Sequence, residues 1–372
     1  MAEKKHQTFN CKQCGAKMEF TPGTNAQVCP YCEFENPIEQ SSEEIKEFDF
    51  ITALNNLSAT EEYHEQQIIE CPQCAAEITT DPDITSQDCI FCGSPIVATA
   101  NSKKMIKPKS LLPFDVTDKQ ASTLYTNWLK GLWFAPNNLK KMARQEHNIS
   151  GIYVPYWTYD SETISHYTGQ RGEYYWVTEH YTTTVNGKSV SKTRQVRKTR
   201  WYSASGTVWL NFDDVLVLAS TSLPQKYTNK LEPWDLQNLV PYKDEYLSGF
   251  KAQSYQVDLS MGFGKAKDIM DSRIRSAVES DIGGDEQRVH SVNTSHDNIT
   301  FKHLLLPVWI SSYRYKEKPY RFLVNARTGE VQGERPYSWV KITLLVLTIL
   351  IIAATIFMIY QSNHQPSYSQ RF

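Results

Sequence analysis

Apolar residues fall into three patterns along this chain, and each predicts a different element. From Ile342 to Tyr360 the nineteen-residue run ITLLVLTILIIAATIFMIY holds no charge, proline or glycine. At ~1.5 Å per residue it spans ~28 Å, close to the ~30 Å hydrocarbon core of a bilayer. Trp339 and Tyr360 stand where interfacial aromatics belong. A membrane helix is therefore predicted over 339–361, followed by a short tail, 362–372. The competing reading is a buried core helix, but such helices rarely stay apolar all round.

Two stretches carry apolar residues at helical spacing. Ala121, Leu124, Tyr125, Trp128 and Leu132 form one stripe, started by a cap at Thr117 or Asp118 and limited by Pro136. Ala266, Ile269, Met270, Ile274, Ala277 and Val278 form another over about 265–281, stopped by Gly283-Gly284. A weaker stripe, Ile45, Phe48, Ile51 and Leu54, follows Ser41 and Glu44, which fit a capping box. It predicts a short amphipathic helix in an acidic connector, residues 39–70.

Elsewhere the pattern is strand-like. Tyr153-Val154-Pro155-Tyr156-Trp157 and Leu306-Pro307-Val308-Trp309-Ile310 are bulky runs whose prolines predict edge or first-residue positions. Tyr174 to Val185 meets Asn186-Gly187, a strong hairpin-turn signal, and the return strand runs from Lys188 to Trp201. A final hairpin around Tyr320–Val331 turns through Asn325-Ala-Arg-Thr-Gly329.

Composition narrows the class. A chain of 372 residues suggests two or three folded units. Its mean hydropathy of −0.49 excludes a polytopic membrane protein. Its 45 aromatic residues exclude a disordered chain. The net charge of −2 conceals segregation, because residues 1–110 carry 9 Lys+Arg against 17 Asp+Glu, and residues 111–338 carry 28 against 24. Opposite-sign surfaces of this kind dock on each other or on partners, or are simply solvated. Arg327, Arg335 and Lys341 precede the apolar run and Arg371 follows it, which places the N-terminal bulk in the cytoplasm and the tail outside. The opening MAEKKHQTFN has no apolar h-region, so no secretory signal is expected.

All eight cysteines lie in the first quarter of the chain, as four Cys-x-x-Cys pairs. Cys11, Cys14, Cys29 and Cys32 recur, sixty positions on, as Cys71, Cys74, Cys89 and Cys92, with fourteen residues between the pairs of each quartet. Each pair offers two adjacent corners of a tetrahedron, so a quartet suits zinc, two ions per chain. The spacer is slightly shorter than usual for this pattern. Iron fits four thiolates too and stays open. Disulfides conflict with a cytoplasmic site, and a thioredoxin-like pair would need a βαβ setting. With every corner filled by sulfur, the sites are structural and leave no position for substrate. Gly15 and Gly93 suit the left-handed turns that follow a knuckle.

The expected fold is two small zinc ribbons, an α+β, antiparallel-strand-rich domain and a single C-terminal transmembrane helix. Ribbon 1 takes 1–38, the connector 39–70, ribbon 2 71–98, a basic linker 99–110 and the aromatic domain 111–338. The return strand of the long hairpin carries Lys188, Lys192, Arg194, Arg197, Lys198 and Arg200. Interleaved with Tyr and Trp, these fit single-stranded nucleic acid, anionic lipid, or plain solvent that keeps edges from pairing. Neither HExxH nor GxSxG occurs. Gly187-Lys188-Ser189 lacks the first glycine of a phosphate loop, where Thr182 stands. Glu61-Glu62-Tyr63-His64 is a degenerate helicase-box echo, and His290, His296 and His303 are too loosely spaced for metal ligands. No enzyme activity is expected.

The chain resembles a group of uncharacterised bacterial membrane proteins with TFIIB-type double zinc ribbons, an aromatic body and one C-terminal span. The matching residues are the two quartets, Leu112-Pro-Phe114, Val154-Pro-Tyr-Trp157, Leu306-Pro-Val-Trp309 and Thr328-Gly-Glu-Val331. Members are often labelled as the primosomal replication-restart helicase, protein N′, but this sequence lacks the ATPase motifs that activity needs. Relatives are encoded beside phage-shock-protein-A-like and SPFH/virion-core-like proteins. The resemblance thus implies a platform on the bacterial plasma membrane that recruits such partners. A non-enzymatic adaptor is the expected function, and a tethered nucleic-acid-binding protein is the alternative.

Overall fold

The computed structural model describes residues 9–39, 45–55, 63–79, 86–97, 101–136, 139, 149–185, 188–315 and 318–363. Its frame is three very long strands: β1 (Ser150–Val185), β2 (Lys188–Leu218) and β3 (Glu286–Tyr315), of 36, 31 and 30 residues. β1 lies in the middle. It pairs antiparallel with β2 from Tyr156↔Leu218 to Val185↔Lys188, and with β3 from Ser150↔Ile310 to Gly172↔Glu286. β4 (Lys318–Asn325) and β5 (Val331–Gly333) extend the sheet beyond β3. The predicted hairpin around 174–201 is thus the outer end of a much longer ribbon, and its Asn186-Gly187 turn lies outside the described residues.

Alternation along these strands sorts side chains onto two faces. Tyr153, Leu305, Trp309 and Phe322 enter a core with α2 (Asp118–Gly131). Val154, Tyr156, Leu304, Leu306 and Ile310 enter another on the opposite face. Of the two cap candidates, Thr117 caps α2, and it does so in a capping box with Gln120. The buried stripe is Ala121, Tyr125 and Leu129, with Tyr125 stacked on Phe322 at 3.6 Å.

α3 (Leu259–Ile282) lies along the long strands on the same face as α2, burying Phe263, Met270, Ile274 and Val278 against Trp157, Tyr159, Tyr167 and Phe212. It starts six residues before the expected 265, behind an Asp258 cap. Gly262 and Gly264 weaken the helical signal there. Gly262 serves packing, because a Cβ on it would lie 2.3 Å from Tyr159 Oη and 2.9 Å from Trp157 Cδ1. α3 ends at Gly283 and Gly284 (φ 65° and 79°), and the Asp285 N–H bonds to Gly172 O. Beyond Gly172 neither α3 nor β3 accompanies β1. Residues 173–185 and 188–200 therefore form a bare two-stranded arm, ~40 Å long at ~3.3 Å per residue.

The prolines are not at edges. Pro155 and Pro307 sit inside β1 and β3, at places where the neighbouring strand changes. Beside Pro155, β2 gives way to Lys251–Ala252; beside Pro307, Ser110–Leu111 gives way to β4. Each carbonyl still accepts, from Ala219 N–H and Ala326 N–H respectively. No ladder bond is lost, because each missing N–H faces a junction.

The connector and linker also differ from expectation. The helix there is only α1 (Phe50–Asn55), preceded by a strand, Phe48–Asp49, on β3. Phe50 is buried while Ile51 is exposed, so the three-residue spacing does not mark the packed face. The Ser41–Glu44 capping box lies outside the described residues. Tyr63–Glu70 and Asn101–Ile106, read as polar connector and basic linker, pair with each other as strands. Finally, α4 (Trp339–Asn363) is a continuous helix, long and apolar enough to cross a membrane over Trp339–Gln361, with none of that stretch buried.

Gly262→Ala is expected to destabilise the protein by about 1–3 kcal/mol, because the added methyl overlaps buried rings and outweighs better helix propensity. Thermal unfolding of the detergent-solubilised chain checks this; a midpoint equal to wild type would show that α3 has room to shift.

Candidate metal centres

Each cysteine pair closes the same turn. In the first, Gly15 N–H donates to Cys11 O (2.9 Å) and Cys11 N–H to Ala16 O (2.7 Å). The same two bonds recur at Cys29 with Glu33 and Phe34, at Cys71 with Ala75 and Ala76, and at Cys89 with Gly93 and Ser94. The residue after the second cysteine has positive φ in all four: Gly15 77°, Glu33 58°, Ala75 54° and Gly93 68°. Glu33 and Ala75 adopt this conformation without glycine's freedom, at about 1–2 kcal/mol each.

The turns bring the sulfurs together. Cys11 and Cys32 lie 3.5 Å apart and Cys14 and Cys29 3.4 Å apart; in the second quartet Cys71 and Cys92 are separated by 3.7 Å, Cys74 and Cys89 by 3.6 Å. Within each quartet all four sulfurs fall within 4.8 Å of one another. A disulfide needs ~2.05 Å, so the eight thiols are unbridged. Zn–S bonds of ~2.3 Å make a tetrahedron with edges of ~3.8 Å, which these spacings approach. Each quartet can hold a zinc ion with all four corners filled.

The thiols in each quartet bias one another. Hydrogen bonding with Cys89 draws Cys74 down to about 5, while the same contact, with burial, pushes Cys89 up. The backbone N–H of Cys32 draws Cys29 down to about 6. Zinc is held by thiolates, so loading a quartet releases protons and retention weakens as pH falls.

The two centres differ in what surrounds them. Cys71, Cys89 and Cys92 are buried in the main core with Leu112, Ile152, Leu304 and Leu306. Cys11 and Cys29 share only a small cluster with Met18, and Cys14 is exposed. One segment, residues 243–256, fastens both ribbons to the body. Ser248 O accepts from Phe20 N–H, and Glu245 O from Gln27 Nε2. Further along, Ala252 O accepts from Thr79 Oγ1 and Gln256 Nε2 donates to Ala75 O. Buried Gln253 donates to Ser220 and Ser222, holding this segment to the chain after β2. No sequence pattern marks these residues, because their partners lie far away in the chain.

A third group, Glu47, Asp160 and Asp213, also converges within 4.8 Å. Its counter-charge is already present. Lys302, 7% exposed, contacts Glu47 at 3.0 Å and Asp214 at 2.7 Å. Burial opposes the charge on Lys302, yet hydrogen bonds to Asp214 and Glu47 hold its pKa above the usual value. Burial raises Asp160 to about 6. This cluster is an ion-pair network that pins the Glu47–Asp49 segment to β3. Among the described residues, no group of three or more metal-binding side chains includes His290, His296 or His303. His303 is buried, its Nδ1 3.1 Å from Ile106 O.

The chain thus combines two four-cysteine centres, a strand-rich, largely antiparallel body and one apolar C-terminal helix. Among curated proteins it is 25% identical over 334 residues to YdjG of Bacillus subtilis (strain 168), described as an uncharacterised protein; the match covers 89% of this chain and 90% of that one. No family model and no solved structure matches it.

Metal analysis of the purified full-length chain is expected to find two zinc ions. Cys71→Ser should lose one and collapse the main unfolding transition, since a structural site within the core contributes many kcal/mol of folding energy. Cys11→Ser should lose one with the main transition largely kept. Equal effects on that transition would contradict the difference in burial.

Proposed function

We propose that this chain is a non-enzymatic, membrane-anchored adaptor that holds a charged, aromatic arm in the cytoplasm and recruits protein partners there. One observation carries the reading: α4 and the arm leave the body at opposite ends of β1. Trp309 Nε1 bonds to Val116 O just before α2, Tyr125 stacks on Phe322 midway, and α4 starts beside Trp133–Ala135 just past its end. In the β3–β4 pairing Phe322 lies farther than Asn325 from the arm, so α2 runs away from it. The outer end of β1, at Val185, is on the order of 100 Å from that base, at ~3.3 Å per residue along the strand. A reach of this size suits presentation of a surface at a distance from a membrane. The closed four-cysteine centres fit a structural use of zinc. The resemblance to double-ribbon membrane proteins names phage-shock-protein-A-like and SPFH-like proteins as the partners to look for.

The arm's chemistry supports a second reading. Guanidinium groups lie over aromatic rings, Arg197 over Tyr174 at 4.0 Å, Arg200 over Tyr175 at 5.0 Å and Arg288 over Trp201 at 3.8 Å. Such pairs also occur where proteins stack on single-stranded nucleic acid. Here, however, Tyr174, Tyr175 and Trp201 each have a guanidinium over one face, and Glu179 pairs with Arg194 and Lys198. The stacks stiffen the arm and leave fewer free faces for bases, so protein partners are favoured.

The adaptor reading is tested by purifying the tagged full-length chain from its native membranes beside a variant with the arm shortened to Gly172–Trp201. An SPFH-like or phage-shock-protein-A-like protein should accompany the first and be lost from the second; neither accompanying wild type would sink the idea. The nucleic-acid reading predicts binding of single strands that falls steeply with salt, and a shallower salt slope for Arg194→Ala, Arg197→Ala and Arg200→Ala together. No binding at low salt would remove it.

A further inference from the structure

The loop Gly131–Pro136 between α2 and the start of α4 exposes one large apolar side chain. Leu132 and Ala135 are buried at 3% and 1% exposure, while Trp133 between them is 78% exposed. The loop is not free to swing, since its ends are sunk in the core and Trp133 N–H bonds to Gly131 O. It is also tied to the membrane helix. Ser338 N–H donates to Phe134 O at 2.7 Å, and Lys341 Nζ, in the first turn of α4, reaches Trp133 O at 3.1 Å and Ala135 O at 2.8 Å. Trp133 is therefore held at the level where α4 leaves the body. Trp339 and Tyr337, 81% and 55% exposed, stand in the same region with Arg335 over the Tyr337 ring at 5.4 Å.

We propose that Trp133 is a second membrane contact, inserted at the headgroup–acyl boundary of the leaflet that α4 enters. The inference rests on α4 being a membrane span. Trp prefers that boundary because its ring is apolar while its N–H still finds polar partners. Lys341 and Arg335 at the same level favour anionic headgroups. The loop is bonded to the first turn of α4 through Lys341, so a bilayer that α4 enters lies beside Trp133. Two contacts at one end of the sheet fix the tilt of the body, which a single flexible span would leave free. The arm then points away from the bilayer instead of lying along it.

The test uses the full-length chain in vesicles of phosphatidylcholine and phosphatidylglycerol with brominated acyl chains. Comparison of wild type with Trp133→Phe and Trp339→Phe assigns each ring's share of the emission. The share lost in Trp133→Phe should be quenched more by bromines near the carbonyl end of the chain than by those near its methyl end. It should also resist aqueous iodide. Quenching by iodide would put Trp133 in water, and quenching by neither agent would put it under protein; both overturn the proposal. Release of the chain by alkaline carbonate would instead defeat the reading of α4. Because Trp133→Phe changes only an exposed ring, its unfolding midpoint, measured alongside, should match wild type.

Discussion

Four cysteines enclosed by the main core set the constraint on which the body depends. Cys71, Cys89 and Cys92 sit among Ile152 and Val154, near the start of β1, and Leu304 and Leu306 of β3. A group of thiolates in such surroundings is intolerable without a cation, because burying unpaired charge costs far more than the surrounding apolar contacts contribute. Protonated thiols avoid the charge but give up the bonds that hold four short segments together. The second ribbon is thus not a module hung on a finished domain. Its metal-binding corner is part of what the sheet folds around, whereas the first ribbon closes over an edge of the α2 core through Phe20 and Ile38.

The long sheet needs a second device, because strands of this length twist strongly and must be bent to follow α3. At the level of Asp160 both flanking strands carry extra residues, Asp213 and Asp214 in β2 and Asn298 and Ile299 in β3. Asp214 and Asn298 take positive φ, 51° and 49°, as bulged residues of this kind do. Asp160 accepts from Asp214 N–H and from Thr300 Oγ1, and Lys302 neutralises the group. The polar cluster therefore satisfies the backbone where the ladders are interrupted. Below it the sheet is covered on both faces; above it α3 covers one face, and past Gly172 no helix does among the described residues.

What could be read in the sequence was local or repeated. The quartets were legible because the sixty-residue repeat and the knuckle spacing are one-dimensional signals, and α2 because its apolar stripe follows a capping residue at helical spacing. α4 was legible from one uninterrupted apolar run, Ile342 to Tyr360. The long strands were not, since Thr and Ser hold many positions in their outer halves and only the turn signal stood out. Proline misled because its tolerance at Pro155 and Pro307 depends on where two other strands end. Ile45, Phe48, Ile51 and Leu54 imitated a helical face, yet Phe48 is spent on a strand against Phe301. The contacts that seat the ribbons, through Ser248, Gln253 and Gln256, pair residues more than 150 positions apart in the chain, beyond any local pattern.

Those contacts also couple the two centres. Residues 243–250 meet the first ribbon and 251–256 meet the second, and two residues later Asp258 caps α3. Trp157 and Tyr159 hold the same junction, donating to Val257 O and Leu259 O. Anything that loosens either ribbon removes hydrogen-bond partners from one short segment, and that segment sets where α3 begins. α3 in turn is the only helix supporting the outer sheet among the described residues, and it ends where the arm starts. The four-cysteine end and the projecting arm are therefore joined by a continuous run of packed elements.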